Sequence, residues 1–465
     1  MTSAPEGRAQ QALWASLVFA ASLAAQGAYS FIAHGTYDYD EFVYLLLGRA
    51  IAHGHVPYRD FLFYHPPGII VTMAAMNGLI EHWWVAGRAL SLLLAAGTCA
   101  LVYLAARRLA SRPVAVTAGL LCACSPIMLT TGTRIMPDIY VAFFTFLATY
   151  LLLVSENRRW AVLAGISFGI AIIFKYPAIL TLPACLLLAG KRRSPVFLGV
   201  MLATVALLLL PLLPEWQQYL TDTVVFQSGR SAEPIVTRFL GVVLFAVVFQ
   251  PLAAFGAFVR PRRAWLLVGY LAAFLYVGTP QVYYHYMAPM IPFASILGAL
   301  YLASLKPVNI KVLVPAAAVG AACLTLIWAS IIEYTPGQSP FHLTAAQVTN
   351  VLPVEHWVKR HVPRGGVILD DRPEVPFLSG RLNCSNYFWN DATQMTSDQL
   401  DHCLTQVRFV VHSYGPASGF PPGFLSQLDR KHCHVDVGSS ANGAFVYDND
   451  RPRGHAGCPY LPLRR

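Results

Sequence analysis

The sequence predicts a polytopic α-helical membrane protein with a small α/β domain at its C-terminal end. Three observations predict it. Only 12% of the 465 residues are charged while 56% are hydrophobic, against roughly 25% charged in an ordinary soluble chain. The apolar excess is gathered into runs, several of about 18 residues or more, the length of a membrane span. Short basic clusters recur between these runs, and after Ile332 the composition turns polar, rich in Gly, Pro, Asp and Asn.

The elements follow in chain order. MTSAPEGRAQQ leads into an apolar stretch that ends near Ile32. It is long enough to span; a signal peptide cleaved near Ala24 and Ala25 is the alternative. The clusters Arg107/Arg108/Arg112, Arg158/Arg159, Lys191/Arg192/Arg193, Arg260/Arg262/Arg263 and Lys306/Lys311 read as cytoplasmic, because positive residues resist translocation. Between successive clusters the chain must go out and come back. That gives about eleven spans, near 12–33, 84–106, 113–133, 138–154, 160–174, 176–190, 194–213, 237–259, 264–279, 286–304 and 312–332. The N-terminus is then inside and the tail outside. Segment 66–82 is moderately apolar, but a crossing there would invert every later basic loop. Residues 34–83 therefore read as one long external loop with interfacial helices. The domains are a transmembrane part, 1–332, and an extracytoplasmic part, 333–465. The net charge of +10 orients helices; no aromatic–basic interleaving points to nucleic acid.

The chemistry must lie in the external loops, since the spans hold almost no ionisable groups. In the first loop, Asp40 and Glu41 precede an amphipathic interfacial helix from Phe42 to Ala52; His53 to Pro57 is a turn, and His65-Pro66-Pro67 starts a helix. Helix capping is the alternative role for the two acids. Arg134-Ile135-Met136-Pro137-Asp138 opens a span, with Asp138 a candidate cap or a second acid on the same face. Lys175 tips a hairpin whose two crossings have only about 15 residues each, roughly 22 Å against a core of roughly 30 Å. At that depth a charge is costly unless it is paired or faces a wet cavity; an anionic lipid phosphate would pair it, and snorkelling to the headgroups is the alternative. The loop 214–236 carries Arg230, with Arg238 beyond it, and Ser228 and Gly229 suggest mobility. Gln281 to Tyr286 brings tyrosines that also suit an aromatic belt, and His285, more often a satisfied interfacial histidine than a catalytic one. Carboxylates suit general-base work on a hydroxyl or amine, and cations suit a phosphate leaving group. Both on one side of an apolar bundle fit sugar transfer from a lipid phosphate.

Taken together these motifs resemble the GT-C-type, polyprenyl-phosphate-sugar-dependent glycosyltransferases, the superfamily of protein O-mannosyltransferases and of the aminoarabinose and galacturonic acid transferases. The residues that carry the resemblance are Asp40-Glu41 with Tyr44, Gly54, Pro57-Tyr58, His65-Pro66-Pro67, Pro137-Asp138, Phe174-Lys175-Tyr176-Pro177, and the run Tyr284 to Pro292. They lie within about residues 10–305. The resemblance implies a GT-C-like fold and inverting transfer. It implies Asp40 as base with Glu41 beside it, and Asp138 on acceptor or sugar. It implies Lys175, Arg59, His65, Arg230 and His285 on the lipid phosphate, with Tyr44 and Arg134 among the substrate contacts. Partners would be a polyprenyl-phosphate sugar, a lipid or glycan acceptor and the membrane. The two acids can bind a divalent cation or work without one, so both cofactor readings stay open. His65 stands where many relatives have lysine, and Val43 where one branch has arginine.

In the tail, Val354 to Val362 has helical spacing, and Val367-Ile368-Leu369, Phe409-Val410-Val411 and Ala444 to Tyr447 read as short strands. Cys384, Cys403, Cys433 and Cys458 give up to two disulfides by three connectivities; a zinc site that includes His432 and His434 is the alternative. No nucleotide-binding glycine pattern is present. A transporter or flippase of lipid-linked sugars and a non-catalytic scaffold are the competing functions. The expected location is a bacterial inner membrane with the tail in the periplasm; an endoplasmic-reticulum membrane is the alternative and leaves the physics unchanged.

Overall fold

The computed structural model describes residues 7–32, 39–80, 83–229, 232–257, 263–305, 345–370, 372–384, 397–412, 420–421, 423–437 and 445–452. The chain forms two compact units. One takes Met1–Gly35, Tyr64–Ile69 and His82–Gly337; the other takes Thr36–Phe63, Ile70–Glu81 and Gln338–Arg465. The first external loop is thus divided between the units, whereas the sequence grouped it wholly with the spans.

The first unit is helical. Among the described residues five segments are long and apolar enough to cross a membrane, and six if a bent pair counts as one span. The bent pair is Arg112–Ala123 and Pro126–Gly132, turned by 57°. Its break falls before Pro126, which opens the second helix where no N–H is needed. The expected count of about eleven differs for physical reasons. The 54-residue segment Tyr176–Gly229 contains two expected spans. Helix Arg158–Phe174 has 17 residues. The span expected near 237–259 is broken into Ile235–Val243, a wide π turn at Leu244–Phe249, and Pro251–Gly256 after Gln250. Ala264–Leu271 tightens into a 3₁₀ stretch, Ala272–Gly278. The span expected near 312–332 lies outside the described residues.

Within Leu182–Leu209 the backbone breaks at Gly190, with φ 62° and ψ 174°. This is the turn the cluster Lys191/Arg192/Arg193 marks in the sequence. Arg193 is buried there and donates to Leu152 O (3.0 Å), Ser155 O (2.5 Å), Ala189 O (3.1 Å) and Leu188 O. It therefore satisfies carbonyls that two helix C-termini leave open. Gly165 and Gly169, four apart, let Arg158–Phe174 press on the following helix. A Cβ would lie 2.7 Å from Phe197 O at Gly165 and 2.7 Å from Thr204 Cβ at Gly169. Small residues at this spacing allow such close approach between membrane helices.

The second unit contains a five-stranded sheet of order β2-β1-β3-β5-β4. Its strands are β1 Val367–Asp370, β2 Leu382–Asn383, β3 Phe409–His412, β4 His432–Asp436 and β5 Phe445–Pro452. β1 pairs in parallel with β2 and β3, while β5 runs antiparallel to β3 and β4. Side chains alternate between two cores, as the period of two requires. Ile368, Phe409, Val411 and Val446 pack with Val354, Trp357 and Val358 of helix Ala345–His361. Leu369, Val410 and Tyr447 face the other way, onto Leu400, Phe424 and Leu428. A disulfide joins Cys384 to Cys403, and Cys433 is also disulfide-bonded; Cys458 lies outside the described residues. Three thiolates are thereby removed from any zinc site.

The helix expected from Phe42 to Ala52 forms as Tyr39–Ala52. It is not amphipathic at an interface: Phe42 to Leu47 are all buried, at 1–4% exposure. Such all-round burial marks a helix inside a packed core.

Candidate functional site

Two ends of helices meet in the first unit. Pro137–Val154 begins with Pro137 and Asp138, an acid in the first turn where the helix dipole favours it. Arg158–Phe174 ends at Lys175, whose extended backbone follows because Tyr176 precedes Pro177 and cannot remain helical. The Lys175 ammonium donates to both Asp138 carboxylate oxygens, at 2.9 and 3.0 Å, and both side chains are buried. The Lys175 Nζ also lies 4.1 Å from the Tyr286 ring centroid, a cation–π distance. The depth expected for Lys175 is therefore met by pairing and not by snorkelling. Asp138 holds this lysine from the first turn of its own helix.

Beside the pair lies a cavity of about 180 Å³, with His65, Lys175, Tyr176, Thr223, Gln227 and Tyr286 among its lining residues. That is room for roughly six waters and less than the roughly 300–1,000 Å³ that encloses a drug-sized ligand. One phosphate head or one sugar ring fits it. Several hydroxyls and amides reach the wall. Tyr176 donates its hydroxyl to Tyr219, and its oxygen is 3.1 Å from the Thr223 hydroxyl. Gln227 donates to Tyr64 O at 3.0 Å, and Tyr64 stacks on Phe226.

These contacts correct the reading of 214–236 as a mobile loop. Residues 210–229 are helical throughout, in short 3₁₀, α and π pieces. Tyr219, Thr223 and Gln227 recur at four-residue spacing, the one local signal that they share a face. Arg238 is tied down by bonds to Val277 O and Thr279 O. Arg230 lies outside the described residues.

His285 is buried, parallel to Tyr283 at 5.5 Å and edge-on to Tyr286 at 4.8 Å. Its Nδ1 has no hydrogen-bond partner among the described residues. Arg134 is buried in the turn before Pro137. Of the residues expected on substrate, His65 and Lys175 line the cavity, and Asp138 holds Lys175.

Asp40, Glu41, Tyr44 and Arg59 belong to the second unit. Asp40 and Glu41 form the first turn of Tyr39–Ala52, with Glu41 buried. Tyr44 is buried edge-on against Phe63, 6.1 Å away. Arg59 is about half exposed and pairs with its neighbour Asp60 at 2.8 and 3.0 Å. The Asp60 carboxylate also accepts the Val56 N–H at 2.7 Å. The Arg59 hydrogen bond, with the Val56 N–H adding to it, holds the Asp60 carboxyl down at about 2. This turn gives Arg59 a local carboxylate partner. Among the described residues no group of three or more His, Cys, Asp or Glu stands together as a metal site.

Residues 64–216 match the family described as dolichyl-phosphate-mannose-protein mannosyltransferase. No curated protein matches the chain by sequence. Among solved structures the chain resembles ArnT from Cupriavidus metallidurans bound to undecaprenyl phosphate, with a TM-score of 0.66 and 15% identity, over 94% of this chain and 98% of that one. It also resembles the oligosaccharyltransferase AglB from Archaeoglobus fulgidus in complex with an inhibitory peptide and a dolichol-phosphate. There the TM-score is 0.53 and the identity 14%, over 94% of this chain and 74% of that one. The resemblance to GT-C-type glycosyltransferases drawn from the motifs is thus borne out, and the chain has their fold.

Proposed function

We propose that this chain is an integral-membrane glycosyltransferase that moves a sugar from a polyprenyl-phosphate donor to an extracytoplasmic lipid, glycan or protein acceptor, with inversion. The observation that carries this reading is the buried Asp138–Lys175 pair beside a cavity sized for one head group. A lysine ammonium has three N–H donors, and Asp138 occupies at most two. A lipid-linked phosphate would use what remains, with His65 on the same wall. The fold relatives that hold undecaprenyl phosphate and dolichol-phosphate support the choice of donor.

In the reaction, an acceptor O–H or N–H attacks the anomeric carbon. The bond from that carbon to the phosphate oxygen breaks, and the electron pair leaves with polyprenyl phosphate. Asp40, with Glu41 beside it, takes the acceptor proton. Lys175 offsets the charge that grows on the phosphate, and Asp138 fixes where the ammonium sits. The Cys384–Cys403 disulfide supports an oxidising compartment for the sheet, as on the outer face of a bacterial inner membrane.

The test is release of polyprenyl phosphate from a panel of radiolabelled polyprenyl-phosphate sugars. The wild type is expected to release it, with label passing to an added acceptor. Asp40→Asn is expected to lose about 10²–10⁴-fold in rate, at a stability cost of only about 1 kcal/mol if the acid also caps its helix. No release from any donor by well-folded protein would overturn the reading in favour of a transporter.

A further inference from the structure

The helix whose first turn holds Asp40 and Glu41 is clamped inside the second unit, and one of its own residues reaches the short helix Glu374–Ser379. Phe42 and Arg49 are seven apart, two turns along one stripe. Both meet Phe377: the Phe42 ring at 5.6 Å between centroids, and the Arg49 guanidinium at 4.9 Å over the ring face. Arg49 also donates to Pro376 O at 3.4 Å and Phe377 O at 3.3 Å. These carbonyls lie near the end of helix Glu374–Ser379, which Gly380 closes in the left-handed conformation. Each already accepts a backbone N–H, from Arg381 and Gly380 respectively, and a carbonyl has a second lone pair to offer. On another side Gly48 lies so near helix Gly68–Leu79 that a Cβ would fall 2.6 Å from Met73 Cβ.

The short helix that Arg49 grips is itself anchored. Arg381, buried, donates to Val362 O (2.9 Å), Lys359 O (3.0 Å) and Ser379 O (2.5 Å). That ties Glu374–Ser379 to the end of Ala345–His361, which lies on the sheet. A continuous set of contacts therefore runs from the sheet through Arg381 and Phe377 to Arg49, and along one helix to Asp40 and Glu41. Rotating that helix by one residue turns its acids by about 100°, and misplacing a catalytic group by about 1 Å can cost about 10²-fold in rate.

We propose that Arg49 is a positioning residue: by holding the carbonyls of Pro376 and Phe377 it fixes the rotation and height of the helix that presents Asp40 and Glu41, so that the C-terminal sheet sets the geometry of the base. This rests on the reading of Asp40 as base given above. Burial lowers the Arg49 guanidinium to about 10, so it stays charged near neutrality. The sheet and the helix that presents the acids then act as one body within the second unit.

The experiment compares full-length wild type, Arg49→Ala and Arg49→Lys in two measurements. One is polyprenyl-phosphate release; the other is hydrogen exchange of segments 39–52 and 409–412. For Arg49→Ala we expect faster exchange in 39–52 with 409–412 still protected, and kcat down by about 10²-fold with KM within about twofold. Arg49→Lys keeps the charge but not the planar fork, and is expected to recover part of kcat. Wild-type exchange in 39–52 for Arg49→Ala would overturn the proposal. So would a loss of protection throughout the sheet that lysine does not rescue. The exchange result stands whether or not Asp40 proves to be the base, and Asp40→Asn reports separately on that reading.

Discussion

The molecule contains two cation–carboxylate pairs in regions that the sequence read alike, and they are opposites. Lys175–Asp138 joins side chains 37 positions apart, with 7% and 2% of their side-chain surface exposed. Arg59–Asp60 joins neighbours in a turn, 54% and 25% exposed. Both cations were expected on a lipid phosphate. In water two opposite charges about 4 Å apart attract by only about 1 kcal/mol, and the attraction rises steeply as water is excluded. An ion pair with no water around it either stays matched or leaves a costly lone charge. A pair in a solvated turn can break and re-form freely. The difference separates a buried, doubly bonded ion pair beside a cavity from an exposed pair within a turn.

The comparison can be broken most severely at Lys175. Lys175→Ala strands Asp138 and is expected to cost about 3–5 kcal/mol in stability, read as a fall in the thermal unfolding midpoint of purified protein, and to abolish polyprenyl-phosphate release. The double variant Lys175→Met with Asp138→Leu sharpens the point. Replacing a buried pair by apolar groups is often neutral or stabilising, so the midpoint is expected to return to near wild type while release stays absent. Recovery of release in the double variant would show that the pair is structural only. Arg59→Ala is expected to change stability by less than about 1 kcal/mol and to leave KM for the donor within about twofold. A large rise in KM would restore Arg59 to the phosphate. The smallest effect is the pH dependence of the turn. The Asp60 carboxyl is depressed from 3.8 to about 2, so its contribution is present above about pH 4 and is lost as pH falls through about 2. The stability gap between wild type and Asp60→Asn is expected to hold from neutrality to about pH 4 and close by about pH 2.

The sequence carried the apolar, helical character of the first unit because that signal is local. Apolar length marks the helices, and the turn at Gly190 falls where Lys191/Arg192/Arg193 place it. It also carried the need for a partner at Lys175, since a hairpin too short for the bilayer draws its tip below the surface. It did not carry the partner's identity. Nothing local distinguishes an external ligand from Asp138, and only the packing of two helices brings those side chains together. The same limit hid Tyr219, Thr223 and Gln227. Their segment was read as a loop from Ser228 and Gly229, whereas the Gln227 bond to Tyr64 O spans 163 positions. Tyr39–Ala52 was placed at an interface because its apolar residues are plentiful. Its burial comes in part from Phe63 and Met73 nearby and in part from Phe377, which the chain supplies from far along its length.

Arg193 has a consequence for the integrity of its turn. Of the three basic residues there, Lys191 and Arg192 are exposed while Arg193 is buried on helix-end carbonyls. A charge that composition alone groups with its two neighbours is thus a clasp, closing the ends of two helices at once. A neutral residue at 193 would leave those carbonyls open together, and the two helices would loosen as one.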